Sequence, residues 1–190
     1  MRDVVAKQEA IGFPNVTDGE YARINRHQSF SAIEGWPLAE ATWRAFLANP
    51  SMRHEHEHGN TRGEDAVETY KTAATEKLAL RANFPLQEYR RLAALARAPG
   101  KAMLMGPDRV SQMCDLPGSR RHYADAEAVL AAVVALQSRM VGELVAAGCP
   151  YVQIDEPSYT GYVDRTTLER MRARGEDPLS NLRRAIAASN

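Results

Sequence analysis

Apolar residues come along this chain in short blocks, and most blocks are closed by a glycine or a proline. The spacing predicts a helix over residues 3–11, with Gly12 as its C-terminal cap. Phe13–Thr17 follows as a short strand. Leu38, Ala41, Phe46 and Leu47 mark one side of an amphipathic helix over residues 38–48. The polar stretch from Pro50 to Asp65 reads as an exposed loop, and residues 76–82 as a strand. Leu86, Tyr89, Leu92, Ala93 and Ala96 give helical spacing over residues 86–98, ended by Pro99-Gly100. Lys101–Met105 is a compact strand closed by Gly106-Pro107. The longest helix spans residues 124–147, with Val129, Val133, Leu136, Met140 and Leu144 on one face and Gly148 as its cap. Cys149–Ile154 is the next strand, and helices follow over residues 166–173 and 179–188.

Strands and helices therefore alternate, which argues for βα units around a parallel sheet. Four strands cannot close an eight-stranded barrel. The pattern fits a small open sheet, or part of a barrel whose other strands lie outside these residues. The expected fold class is α/β, a partial (β/α)₈ barrel of about four parallel strands with flanking helices, over one domain at residues 1–190.

Composition adds little. The apolar fraction of 44% is that of an ordinary globular protein. Lys plus Arg and Asp plus Glu each number 24, so no net field draws the chain to nucleic acid or an anionic membrane. Two cysteines, Cys114 and Cys149, are no disulfide framework. No apolar run approaches the roughly 20 residues of a membrane span. The first residues lack the apolar centre of a signal peptide, so a cytoplasmic protein is expected.

The chemistry concentrates where strands end. Tyr151-Val152-Gln153-Ile154 runs into Asp155-Glu156-Pro157, and Phe13–Thr17 runs into Asp18-Gly19-Glu20. In parallel α/β folds ligands sit outside the carboxyl ends of the strands. Acids there are placed for substrate, or alternatively to cap the next segment or form an Asp-Gly turn. Alternation puts Gln153 and Asp155 on one face, turned toward a polar interior. Asp18 and Glu20 share a side if their backbone stays extended. The candidate substrate-binding residues are Asp18, Glu20, Gln153, Asp155 and Glu156. Gly106-Pro107, with Asp108 and Arg109 behind it, lets the backbone approach a ligand. His54, His56 and His58 alternate as metal ligands would, but in a loop that offers no second shell. Neither cysteine has a neighbour that would activate a thiolate.

Three segments together carry a resemblance: Thr17-Asp18-Gly19-Glu20, Lys101-Ala102-Met103-Leu104-Met105-Gly106-Pro107, and Gly148-Cys149-Pro150-Tyr151-Val152-Gln153-Ile154-Asp155-Glu156-Pro157. In this order they resemble the catalytic barrel of the cobalamin-independent methionine synthase family and its shorter single-barrel relatives. The resemblance implies a (β/α)₈ barrel and methyl transfer to a zinc-held thiol such as homocysteine, with a folate as a possible donor. It implies that Glu20 and Asp155 bind the amino-acid part of that substrate. The family's zinc ligands, a His-x-Cys pair, a glutamate and a second cysteine, have no counterpart in these 190 residues, nor has its first strand. Met113 stands for a tryptophan and Gly161 for an acid. No catalytic residue and no metal ligand is therefore assigned. The chain alone is expected to be inactive, and either to need a partner chain that completes the barrel or to be a truncated gene product. Thiol or corrinoid-linked methyl transfer of the coenzyme M type, and a non-catalytic barrel-completing subunit, remain alternatives.

Overall fold

The computed structural model describes residues 1–23, 29–30, 32–38 and 71–190. Its elements are mixed α and β. Helix α1 (Arg2–Ile11) is followed by β1 (Ile33–Glu34), β2 (Ala79–Leu80), α2 (Phe84–Ala93) and β3 (Lys101–Met105). Then come α3 (Pro107–Gln112), α4 (Leu116–Ser119), α5 (Ala126–Ala146), β4 (Tyr151–Asp155), a 3₁₀ segment (Pro157–Tyr162), α6 (Arg165–Ala173) and α7 (Pro178–Ser189). The expected helix over 38–48 and the loop with His54, His56 and His58 lie outside the described residues, apart from Leu38.

The centre is a parallel pair. β3 and β4 run in register, from Lys101 opposite Tyr151 to Met105 opposite Asp155. Helix α5 makes the crossover between them. The expected strand at Phe13–Thr17 is reduced to one parallel bridge, Val16 to Gly100. It is made by Val16 N–H to Pro99 O at 2.9 Å and Lys101 N–H to Val16 O at 2.8 Å. Gly106 N–H, on the opposite edge, bonds Asp155 O at 2.7 Å. β3 therefore lies between the Val16 segment and β4, in sequence order.

The strand expected over residues 76–82 does not join this sheet. Only Ala79–Leu80 is extended, and it pairs antiparallel with Ile33–Glu34, a strand the sequence pattern did not reveal. Gly35 explains the geometry. Its φ of 76° turns the chain, and its carbonyl accepts Thr75 N–H at 2.8 Å. Among the described residues the sheets are two-stranded and no barrel is closed.

The even face of β3, Ala102 and Leu104, joins the main core with Leu86 and Tyr89 of α2 and Val129, Val133, Met140 and Leu144 of α5. Over its 18-residue window α5 has a mean hydropathy of 1.6, long and apolar enough to cross a membrane by length and composition. That corrects the expectation that no such run exists. In this fold its apolar stripe, Val129 to Leu144, is core.

Boundaries follow hydrogen-bond chemistry. Asp125, Asp164 and Asp177 cap α5, α6 and α7 with side-chain oxygens. α2 ends at Ala93, earlier than its spacing suggests. Beyond it, the Arg97 and Ala98 N–H groups bond the Glu9 carboxylate of α1. At its start, Asn83 does two jobs. Its Oδ1 accepts Leu86 N–H at 3.1 Å, and its Nδ2 donates to Met140 O of α5 at 2.9 Å. Asn83→Ala should lower unfolding free energy by about 1–2 kcal/mol, the upper range of a lost N-cap. Urea denaturation of the two proteins measures it.

Candidate functional site at the strand ends

At the C-terminal ends of β3 and β4 the chain turns twice, at Gly106-Pro107 and at Glu156-Pro157. The Glu156 carboxylate joins the two turns. Its Oε2 accepts Asp108 N–H at 2.9 Å, and its Oε1 accepts Arg109 N–H at 3.1 Å and Ser158 N–H at 3.2 Å. Both oxygens are thus occupied by backbone donors from α3 and the 3₁₀ segment. The acid at the tip of one strand caps the helix that follows its neighbour.

Gly106 is required by this closeness. A Cβ there would lie 2.5 Å from Glu156 Cδ and 2.8 Å from Glu156 Cβ. Behind Glu156 sits a second buried acid, Asp108, whose Oδ2 accepts Tyr162 O–H at 2.9 Å and Gln112 N–H at 3.0 Å. Burial first, and then the charge of Asp108, push the Tyr162 hydroxyl far above its ordinary pKa, so it stays a donor. Burial also raises Glu156 above the usual carboxylate range, against the N–H bonds that favour its charged form.

The other acid pair forms a turn, the alternative to the extended backbone that would put Asp18 and Glu20 on one side. Gly19 and Glu20 both take left-handed φ, 66° and 57°. Asp18 Oδ1 accepts Glu20 N–H at 3.0 Å, closing the turn from its side chain. The turn carries the chain away from β3 after Val16, so no strand covers Met103 O. Arg23 takes that place, donating to Met103 O at 2.9 Å. The same guanidinium bonds Glu20 Oε1 at 2.7 Å and both oxygens of Glu88, the shortest at 2.6 Å. The Arg23 and Glu88 side chains are 3% and 5% exposed. Burial is the largest single influence and works against the guanidinium, but the two-pronged bond to Glu88 together with the charges of Glu88, Glu20 and Asp18 holds Arg23 above its ordinary pKa. Asp18 is 8% exposed, and its Oδ2 is buried without a hydrogen-bond partner.

The five expected substrate-binding residues thus fall into distinct settings. Asp18 and Glu20 gather at Arg23. Gln153 shares the odd face of the sheet with Asp155, as alternation requires, and its Oε1 accepts Lys101 Nζ at 2.9 Å. Asp155 is half-buried opposite Met105, one residue beyond Leu104 and two beyond the Met103 carbonyl that Arg23 caps. Glu156 is committed to backbone. Arg23, Glu88, Tyr162 and Ser158 had no signal in the sequence pattern, because their partners are remote in the chain. Asp108 had only its place behind Gly106-Pro107.

Among the described residues, the two cysteines do not fit a zinc centre. Cys114 packs against Ser119 Oγ at 3.2 Å, and burial pushes its thiol up, away from the thiolate a metal needs. Cys149 is also buried, its thiol directed to Tyr151 O at 3.3 Å. Among the described residues, no three His, Cys, Asp or Glu side chains are grouped to hold a metal ion.

No protein-family model matches the chain, and no curated protein matches it.

Two outcomes test the strand-end assembly. Gly106→Ala should destabilise the fold by about 2–3 kcal/mol, since overpacking displaces a bonded carboxylate; chemical denaturation reads this. The second concerns pH. Because the folded state holds the Glu156 proton more tightly than the unfolded chain, this group costs stability as pH rises from the ordinary carboxylate range through its raised pKa. Glu156→Gln should flatten that part of the stability–pH curve, measured by denaturation between about pH 4 and pH 7.

Proposed function

We propose that this chain forms part of a methionine-synthase-like (β/α)₈ barrel and binds the amino-acid portion of a thiol substrate such as homocysteine, for methyl transfer to sulfur. The observation that carries the reading is the buried, unpartnered Asp18 Oδ2 in the Asp18-Gly19-Glu20 turn. A buried carboxylate oxygen with no donor is costly unless a cation or donor completes it. The α-ammonium group of an amino acid is such a donor. Asp155, on the odd face of β4, is the second acid of the reading; Glu20 lies beside Asp18 and is tied to Arg23.

The in-order arrangement of the Val16 segment, β3 and β4, all parallel and with α5 as the crossover, supports a piece of such a barrel. β4 has an outer edge with no strand partner among the described residues, where Tyr151 is 46% and Ile154 39% exposed. Further strands, on this polypeptide or another, would cover it. The metal ligands of the reaction and the methyl donor, a folate in the resemblance, would come with those strands. The setting proposed is cytoplasmic.

Calorimetry with L-homocysteine tests the binding step. Binding should weaken by about tenfold or more in Asp18→Asn, the loss of one charge-assisted contact. 4-Mercaptobutyrate, which lacks the amino group, should bind the wild-type chain at least about tenfold more weakly for the same reason. Equal affinity for the two thiols, or no change in Asp18→Asn, would overturn the reading.

A further inference from the structure

A cavity of about 650 Å³ opens beyond the strand ends, between α3, the 3₁₀ segment, α6 and α7. It is separate from the Asp18 turn. Its charge contrasts with the neutral chain: Lys71, Arg109, Arg170, Arg174 and Arg184 all line it. Among the described residues two acids share the lining, and both are engaged. Asp108 accepts from Tyr162 and Gln112, while Glu176 pairs with Arg174 at 2.7 Å and accepts from Asn181 at 2.9 Å. Among the described residues, the Arg184 guanidinium donates to the neutral Asn181 Oδ1, at 3.1 Å.

The second observation is independent of charge. Ser158 lines the same cavity, is 2% exposed, and its Oγ, buried beside the Glu156 carboxylate, makes no hydrogen bond of good geometry. Its backbone N–H is held by Glu156, which fixes the residue. A buried hydroxyl lacking a partner costs stability unless a ligand supplies one. Leu116, Met171 and the Tyr162 ring give the cavity an apolar wall as well.

We propose that this cavity binds a small organic anion, an apolar body carrying one phosphate or carboxylate head. The head meets Arg184 and accepts a hydrogen bond from the Ser158 hydroxyl. Planar guanidinium groups suit such oxyanion heads, which present two oxygens side by side. The volume fits a ligand of small-metabolite size.

The test is binding of phenyl phosphate and phenylacetate to the full chain, followed by calorimetry and by NMR, with benzyl alcohol as the uncharged probe. At least one anion should bind saturably with Kd at or below about 1 mM, a free energy near 4 kcal/mol, and benzyl alcohol at least about tenfold more weakly. The better anion identifies the head. Arg184→Gln should weaken that anion by about tenfold, with Arg184→Lys intermediate, and Ser158→Ala should weaken it by a smaller factor. Thermal unfolding of each variant confirms that it is folded. Asp18→Asn should leave anion binding unchanged, which separates this site from the homocysteine reading. No binding by either anion up to about 10 mM, about 10 times the largest expected Kd, would overturn the proposal. So would equal binding of benzyl alcohol, or anion affinity indifferent to both Arg184→Gln and Ser158→Ala in folded protein.

Discussion

The geometry of the strand ends depends on one carboxylate. Glu156 belongs to the tip of β4, yet two of its three N–H partners lie in the turn after β3. Parallel neighbours cannot be joined by a tight hairpin, so their ends have no covalent reason to stay level. A side chain reaching across supplies that constraint here. The same carboxylate orients Asp108 and Arg109 through their own N–H groups, and Ser158 through its own. Asp108, Arg109 and Ser158, which line the basic cavity on this side, are held by that one acid.

A second buried charge system stands on the other edge of β3. Arg23 and Glu88 are removed from water together, an arrangement whose desolvation cost rivals its attraction. What the pair adds is placement. The guanidinium satisfies the Met103 carbonyl where strand pairing stops, and it draws Glu20 inward. Removing one partner would leave the other as a lone buried charge, a loss of about 3–5 kcal/mol. Asp18 is then left with one oxygen closing its turn and the other, near the Arg23 charge, without a hydrogen-bond partner. Polarity kept in a buried place without a partner is the chemistry a ligand can complete.

The elements with strong local signals were legible in the sequence. Lys101–Met105 coincides with β3, and α5, β4, α6 and α7 lie within a few residues of their expected ranges. Caps and periodicity are local, so they can be read locally. The departures arise where distant residues decide. Ala79–Leu80 is claimed by Ile33–Glu34 rather than by the parallel sheet, because Gly35 docks against Thr75. α2 stops short of its expected end, and Glu9 takes the Arg97 and Ala98 N–H groups beyond it. At the site, the strand-tip acids were visible, but their tasks were not. Arg23 finds Glu88 across 65 residues, and Glu156 finds Asp108 across 48. No spacing rule encodes either meeting.

The Glu156 bridge also bears on time. It can close only after α5 has carried the chain back and β4 has settled beside β3 in register. Such non-local parallel pairing is slow to assemble, because loop closure precedes any reward from the contact. Interactions that form after the folding barrier act on how quickly the native state is lost, and hardly on how quickly it is reached. The bridge therefore governs the lifetime of the aligned strand ends, and with it the interval over which anything bound beyond them stays enclosed.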